Sequence, residues 1–135
     1  MIAVKNHVIE MNAFFNVAPD TLYAMWLDSK GHEELTGGEA DIAAELGYSF
    51  TAWDGYIEGE ITGLEEGVKV VQTWRTSEFD PTHEDSILEV GFIPENGGTR
   101  FTLNHKNLFS EAEVEKYTLG WQDHYFQPMS ELFNQ

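Results

Sequence analysis

The stretch GYSFTAWDGYIEGEITGLEEG, residues 47–67, places Tyr48, Phe50, Trp53 and Tyr56 around a single Asp54-Gly55 step. Asp-Gly between two runs of alternating polarity marks a tight hairpin, because such turns need positive φ, which glycine adopts at no steric cost. The step predicts a two-residue turn with Gly55 at positive φ and a return strand over YIEGEITGL, residues 56–64. Glu65-Glu66-Gly67 makes the next turn. Rings this close in sequence can be core, a cofactor box, a nucleic-acid platform or a pocket wall. A stacking platform carries basic residues between its rings. This stretch offers only Asp54, Glu58 and Glu60, so hairpin core and pocket wall are the readings that fit.

The period of two extends outward. Residues 40–53, ADIAAELGYSFTAW, read as one strand, or as two broken near Gly47. Strands follow over residues 68–79, 86–93 and 99–108, separated by FDPTHED and PENGG. Alternation puts Leu88, Val90 and Phe92 on one face of their strand, and Phe101, Leu103 and His105 on one face of the next. A first strand is expected over residues 6–17.

The helices have their own signals. Pro19 and Asp20 suit a first turn, Leu22, Tyr23, Trp26 and Leu27 recur at helical spacing, and Gly31 is the expected stop. HEELTGG, residues 32–38, predicts a second short helix. The closing helix opens on Ser110 and Glu113 as a capping box and carries a stripe of Val114, Tyr117, Trp121, Tyr125, Pro128 and Leu132. Pro128 removes a bond to the carbonyl of residue 124, which predicts a kink.

Residues 1–135 therefore read as a single α+β domain: a curved antiparallel sheet of about six to seven strands, two short helices after the first strand, and one long C-terminal helix. Only that last helix is long enough to cover the apolar face of the sheet. A curved sheet around a long helix leaves space for a ligand between them.

Composition narrows the function. The chain of 135 residues contains no cysteine, which excludes disulfides, thiolate metal sites and a cysteine nucleophile, and fits a cytoplasmic protein. Seven basic against 24 acidic residues give a net charge of −17, which repels phosphate backbones and anionic membranes. The amino terminus does not read as a signal peptide, and no run is long and apolar enough for a membrane span. Phosphate-binding glycine loops and the Gly-x-Ser-x-Gly elbow are absent. The five histidines lack metal-ligand spacing, and His32 and His83 read as solvated loop charges beside their carboxylates. Arg75 and Arg100 read as members of surface ion pairs. No catalytic residue, metal site or cofactor is expected.

The segments FTAWDGYIEGEITGL, VVQTWR, GGTRFTLNHKNL and GWQDHYFQPMSELF, taken in order, carry a resemblance that covers nearly the whole chain. Gly47, Asp54-Gly55, Gly59-Glu60, Trp74-Arg75, Gly98-Thr99 and Gly120-Trp121 stand at matching points. The chain resembles the C-terminal domain of the ATPase activator of the ninety-kilodalton heat-shock chaperone, and its bacterial stand-alone relatives, in the START-like (SRPBCC) superfamily. The resemblance implies the helix-grip fold. It also implies either binding of a lipophilic small molecule or a cochaperone-like role, in stress response, docking on a chaperone of the heat-shock protein 90 type. A START-like cyclase or hydrolase is a third alternative. Eukaryotic members carry a separate N-terminal domain for which this chain has no room, so weak or no ATPase activation is expected.

The leading expectation is binding of a small apolar or amphipathic ligand between sheet and helix by a monomer or homodimer. Its wall is expected from Phe50, Trp53, Trp74, Leu88, Phe92, Phe101, Leu103, Trp121 and Tyr125, with His105 as a satisfied core histidine or as the polar group that orients the ligand.

Overall fold

Alternating burial along the strands builds one antiparallel sheet, and the computed structural model describes it over residues 7–135; Asn6 of the expected first strand lies outside those residues. The strands are β1 (His7–Phe15), β2 (Ser49–Ala52), β3 (Ile57–Glu65), β4 (Lys69–Thr76), β5 (Ser86–Glu95) and β6 (Gly98–Leu108). Their spatial order is β1-β6-β5-β4-β3-β2. Register sets inward residues opposite one another: Leu88 faces His105, Val90 faces Leu103 and Phe92 faces Phe101 across β5 and β6. Val70, Gln72 and Trp74 of β4 continue these rows against Val90, Leu88 and Ser86. The expected inward faces of β5 and β6 are thus the buried ones.

Two short helices, α1 (Pro19–Trp26) and α2 (Ser29–Thr36), follow β1. The break between them comes earlier than expected. Asp28 caps α2 by accepting the Gly31 N–H at 2.9 Å, so Gly31 lies inside the second helix and the left-handed Gly37 ends it. Leu22, Tyr23 and Trp26 of α1 are buried against β5 and β6. The sheet therefore has a second cover besides the closing helix.

Residues 43–48 are not the strand expected there. Their backbone turns through Glu45 and Tyr48, Leu46 is 63% exposed, and Asp41 alone bridges to Thr51. The turn at Asp54 is also longer than two residues. Ala52 pairs with Ile57, and Trp53, Asp54 and Gly55 all take positive φ, at 51°, 59° and 89°. Gly55 has the conformation expected of it.

The closing helix begins with α3 (Glu111–Trp121), where the Ser110 hydroxyl accepts the Glu113 N–H and the Glu113 carboxylate accepts the Phe109 N–H. It ends with α4 (Gln127–Phe133). Between them Gln122–Phe126 form a π-turn, in which the Gln127 N–H donates to the Gln122 carbonyl. Pro128 follows at the start of α4, so a widened turn precedes the proline in place of the expected disruption at it. The extra residue moves the buried stripe on by one. Tyr117, Trp121, Tyr125 and Met129 are buried, while Leu132 is 45% exposed and Phe133 packs on the core in its place.

Candidate functional site

Trp53 occupies the first positive-φ position of the β2–β3 turn, which throws its ring back toward the helices. Gly38, just beyond α2, makes room for it: a β-carbon there would lie 2.5 Å from the indole ring. His124 of the π-turn meets the same ring edge-on, with centroids 5.1 Å apart. Trp74 of β4 forms the opposite wall, 5.1 Å from Tyr117 and 5.6 Å from Trp121 between centroids. Tyr56 and Ile57 close one side. The rings line a half-open cavity of about 210 Å³ whose lining is almost wholly apolar. Gly120 lines it as well, and a β-carbon there would meet nothing within 4 Å.

Beneath the cavity the polar groups are paired. The Trp121 indole N–H donates to His105 Nδ1 at 3.0 Å. Ser86 Oγ gives its proton to the Trp74 carbonyl at 2.7 Å, so the 2.7 Å contact between His105 Nε2 and Ser86 Oγ has the imidazole as donor. That chain assigns a neutral, Nε2-protonated ring with both nitrogens engaged. Burial pushes the His105 pKa down to about 3.

A second buried imidazole has the opposite tautomer. His32 Nδ1 donates to the Trp26 carbonyl at 2.8 Å, and His32 Nε2 accepts from the Tyr125 hydroxyl at 2.8 Å. Burial lowers the His32 pKa to about 4 and raises that of Tyr125. His32 is thus a core residue and not the solvated charge expected from HEE; the Asp28 cap starts α2 early enough to turn it inward. Tyr117 shares a 2.7 Å hydrogen bond with Thr76, and burial pushes its pKa up to about 12.

Of the residues expected at a ligand wall, Trp53, Trp74, Trp121 and Tyr125 line this cavity. Phe50, Leu88, Phe92, Phe101, Leu103 and His105 are buried in the core instead. For Phe92 and Phe101 the cause is α1: Tyr23 packs on Phe92 and Trp26 on Phe101, at 5.6 Å each. Both His105 ring nitrogens are engaged, so the ring is a satisfied core histidine with no nitrogen free to orient a ligand. Tyr56, Ile57, Tyr117, Gly120 and His124 complete the lining and were not expected there. A glycine inside an amphipathic helix, next to Trp121, was the available signal for Gly120.

Elsewhere, Arg75 pairs with Asp85 at 2.7 Å and also donates to the His83 and Asp80 carbonyls, bracing the loop between β4 and β5. Arg100 pairs with Glu95 at 2.6 Å. His83 stacks on Phe109, centroids 3.6 Å apart. Among the described residues no group of three acidic or imidazole side chains could hold a metal, and no helix is long and apolar enough to cross a membrane.

Residues 16–134 match the model of a family described as Activator of Hsp90 ATPase homolog 1-like protein. The chain is 27% identical over 125 residues to the human activator of 90 kDa heat shock protein ATPase homolog 1, covering 93% of this chain and 36% of that one. It thus spans about a third of the length of the curated relatives it matches. Among solved structures, an HSP90 activator from Plasmodium falciparum superposes with a TM-score of 0.82 at 22% identity, covering 93% of this chain and 94% of that one. A protein from Mesorhizobium loti superposes with a TM-score of 0.79 at 18% identity, covering 93% and 95%. These likenesses show the START-like fold, which in this chain is a curved six-stranded antiparallel sheet under a long C-terminal helix. With almost the entire described chain matched on this architecture, the protein belongs to the Activator of Hsp90 ATPase homolog 1-like protein family.

Proposed function

We propose that this domain is a START-like binding module that holds a compact, apolar-bodied small molecule between Trp53, Trp74, Tyr117 and Trp121. The observation that carries this reading is the unfilled, apolar volume of about 210 Å³ beside an otherwise dense core. Its size bounds the ligand. Pockets for drug-sized molecules run from about 300 to 1,000 Å³, whereas an apolar cavity of about 150 Å³ accepts benzene. One ring or one branched head group fits; a sterol does not. A polar contact from His105 is not part of this reading, because that ring is fully engaged below the wall.

A ligand that binds only the folded state stabilises it by about 2.7 kcal/mol at a hundredfold excess over its Kd, which for this length shifts the melting midpoint by roughly 5–15 °C. Screening one-ring compounds by thermal melting and tryptophan emission should find at least one that moves both. A screen in which no compound of that size moves either would overturn the reading.

The names of the relatives, activators of the 90 kDa heat shock protein ATPase, favour a second role, docking on a chaperone of that type, and we propose the cytoplasm as its place. A surface of net charge −17 would meet basic patches on such a partner, so association should weaken as salt rises. Co-elution with the chaperone at low salt tests this; its absence at both low and physiological salt counts against docking.

A further inference from the structure

We infer that the cavity takes a compact cation without N–H donors, a trimethylammonium-type group, admitted over Gly120; the inference rests on the ligand-binding reading above. The wall supplies the indoles of Trp53, Trp74 and Trp121 together with the phenol rings of Tyr56 and Tyr117. Aromatic faces attract cations through the ring quadrupole, tryptophan most strongly, and clustered rings are a general solution for binding quaternary ammonium. One wall ring already has such a neighbour: the Lys116 ammonium lies 5.5 Å from the Tyr117 centroid, and Glu78 pairs with it.

The lining then selects among cations. It offers almost no polar surface, so a primary ammonium would lose its water and gain no acceptors in exchange. A quaternary ammonium has no N–H to satisfy, and its methyl groups can rest on the rings. Charge selects against anions. With 24 acidic and seven basic residues, the field of the protein enriches cations near its surface and repels carboxylates and phosphates of similar bulk.

Access is the last element. A glycine in the middle of a helix weakens it, and such glycines commonly allow close packing. At Gly120 nothing is packed: a β-carbon there would meet no atom within 4 Å, and the residue is half-buried and lines the cavity. A side chain there would stand in the entrance without entering the core.

The test is a titration of the full chain at pH 8, followed by tryptophan emission and calorimetry, with choline, its uncharged carbon analogue 3,3-dimethyl-1-butanol, and ammonium chloride at matched ionic strength. Choline should bind at least about tenfold more tightly than the carbon analogue, and ammonium should give no response. Gly120→Leu should abolish choline binding while its circular dichroism stays native, and Trp53→Leu should weaken binding. Equal affinity for choline and the carbon analogue would overturn the cationic inference and leave the ligand-binding reading intact. Binding of neither would overturn the inference and count against that reading too. Equal responses to choline and ammonium, or undiminished choline binding by a folded Gly120→Leu chain, would overturn the inference as well.

Discussion

The two halves of the sheet–helix interface are built differently. Around α1 and α2, Trp26 donates to Gln72, His32 bridges Trp26 and Tyr125, and the Trp26 ring lies 5.6 Å from Phe101 and 5.4 Å from Tyr125 between centroids. The buried polar groups named there have partners. At the other half, Trp53 Nε1 is buried without one, Gly120 faces nothing, and about 210 Å³ is unfilled. Protein interiors ordinarily reach a packing density of about 0.74–0.76, and each unfilled volume costs stability. The filled half does what folding requires. The open half gives up contacts that larger side chains at the same positions would supply, as the proposed ligand-binding role requires. Trp121 and Tyr125 belong to both, one flank on the core and the other on the cavity.

That contrast can be broken by experiment. The largest effect is expected for Trp121→Ala, which should lower unfolding free energy by about 3–5 kcal/mol and leave His105 Nδ1 unpaired. Urea denaturation measures it; a loss below about 1 kcal/mol would assign Trp121 to the open half. Acid comes next. His105 and His32 are held neutral, with pKa values of about 3 and about 4 against an ordinary 6.5. As pH falls below about 6.5 the unfolded chain therefore takes up protons that the folded one does not, and stability drops by up to about 1.4 kcal/mol per unit per histidine. The contribution is complete above the ordinary value and is lost on the way down to about 3. Protonating the carboxylates of so acidic a chain relieves repulsion and works the other way, so the informative quantity is the difference between wild type and His105→Phe across that range.

At neutral pH, His105→Phe should itself cost about 1–3 kcal/mol, because it strands the Trp121 indole N–H in the core. An unchanged urea midpoint would show that the polar floor contributes little. The smallest effect has the opposite sign. Gly120→Ala should raise stability by about 0.5–1 kcal/mol, since a helix gains from alanine and no neighbour is displaced. A destabilised Gly120→Ala chain would mean that the open half is closer packed than its geometry implies, and would sharpen the boundary between the two regions.

The filled half was more legible in the sequence than the open one. Period-two alternation fixed the inward faces of β5 and β6, and Leu88, Val90, Phe92, Phe101 and Leu103 are all buried. Alternation does not say what covers a face, however. Phe92 and Phe101 were expected at a ligand wall because their rings point inward; they meet α1, whose position depends on contacts distant in sequence. The Asp54-Gly55 step announced a turn and a positive φ at Gly55. It gave no sign that Trp53 and Asp54 would share that conformation, which is what turns the Trp53 ring into the cavity wall. His124 was invisible as a wall residue for another reason: helical periodicity assumes a constant number of residues per turn, and the π-turn violates it.

The π-turn has a consequence for how this domain can change over generations. A helix that takes in one supernumerary residue as a bulge keeps both flanks in phase with the sheet, so Trp121 before it and Met129 after it stay docked. Loss of a single codon within 122–126 would then leave an ordinary helix with both anchors seated, and would alter only the segment that presents His124 and Tyr125 to the cavity. Length variation, usually confined to surface loops, is here admissible inside a buried helix, and it falls at the wall where ligand preference would be decided.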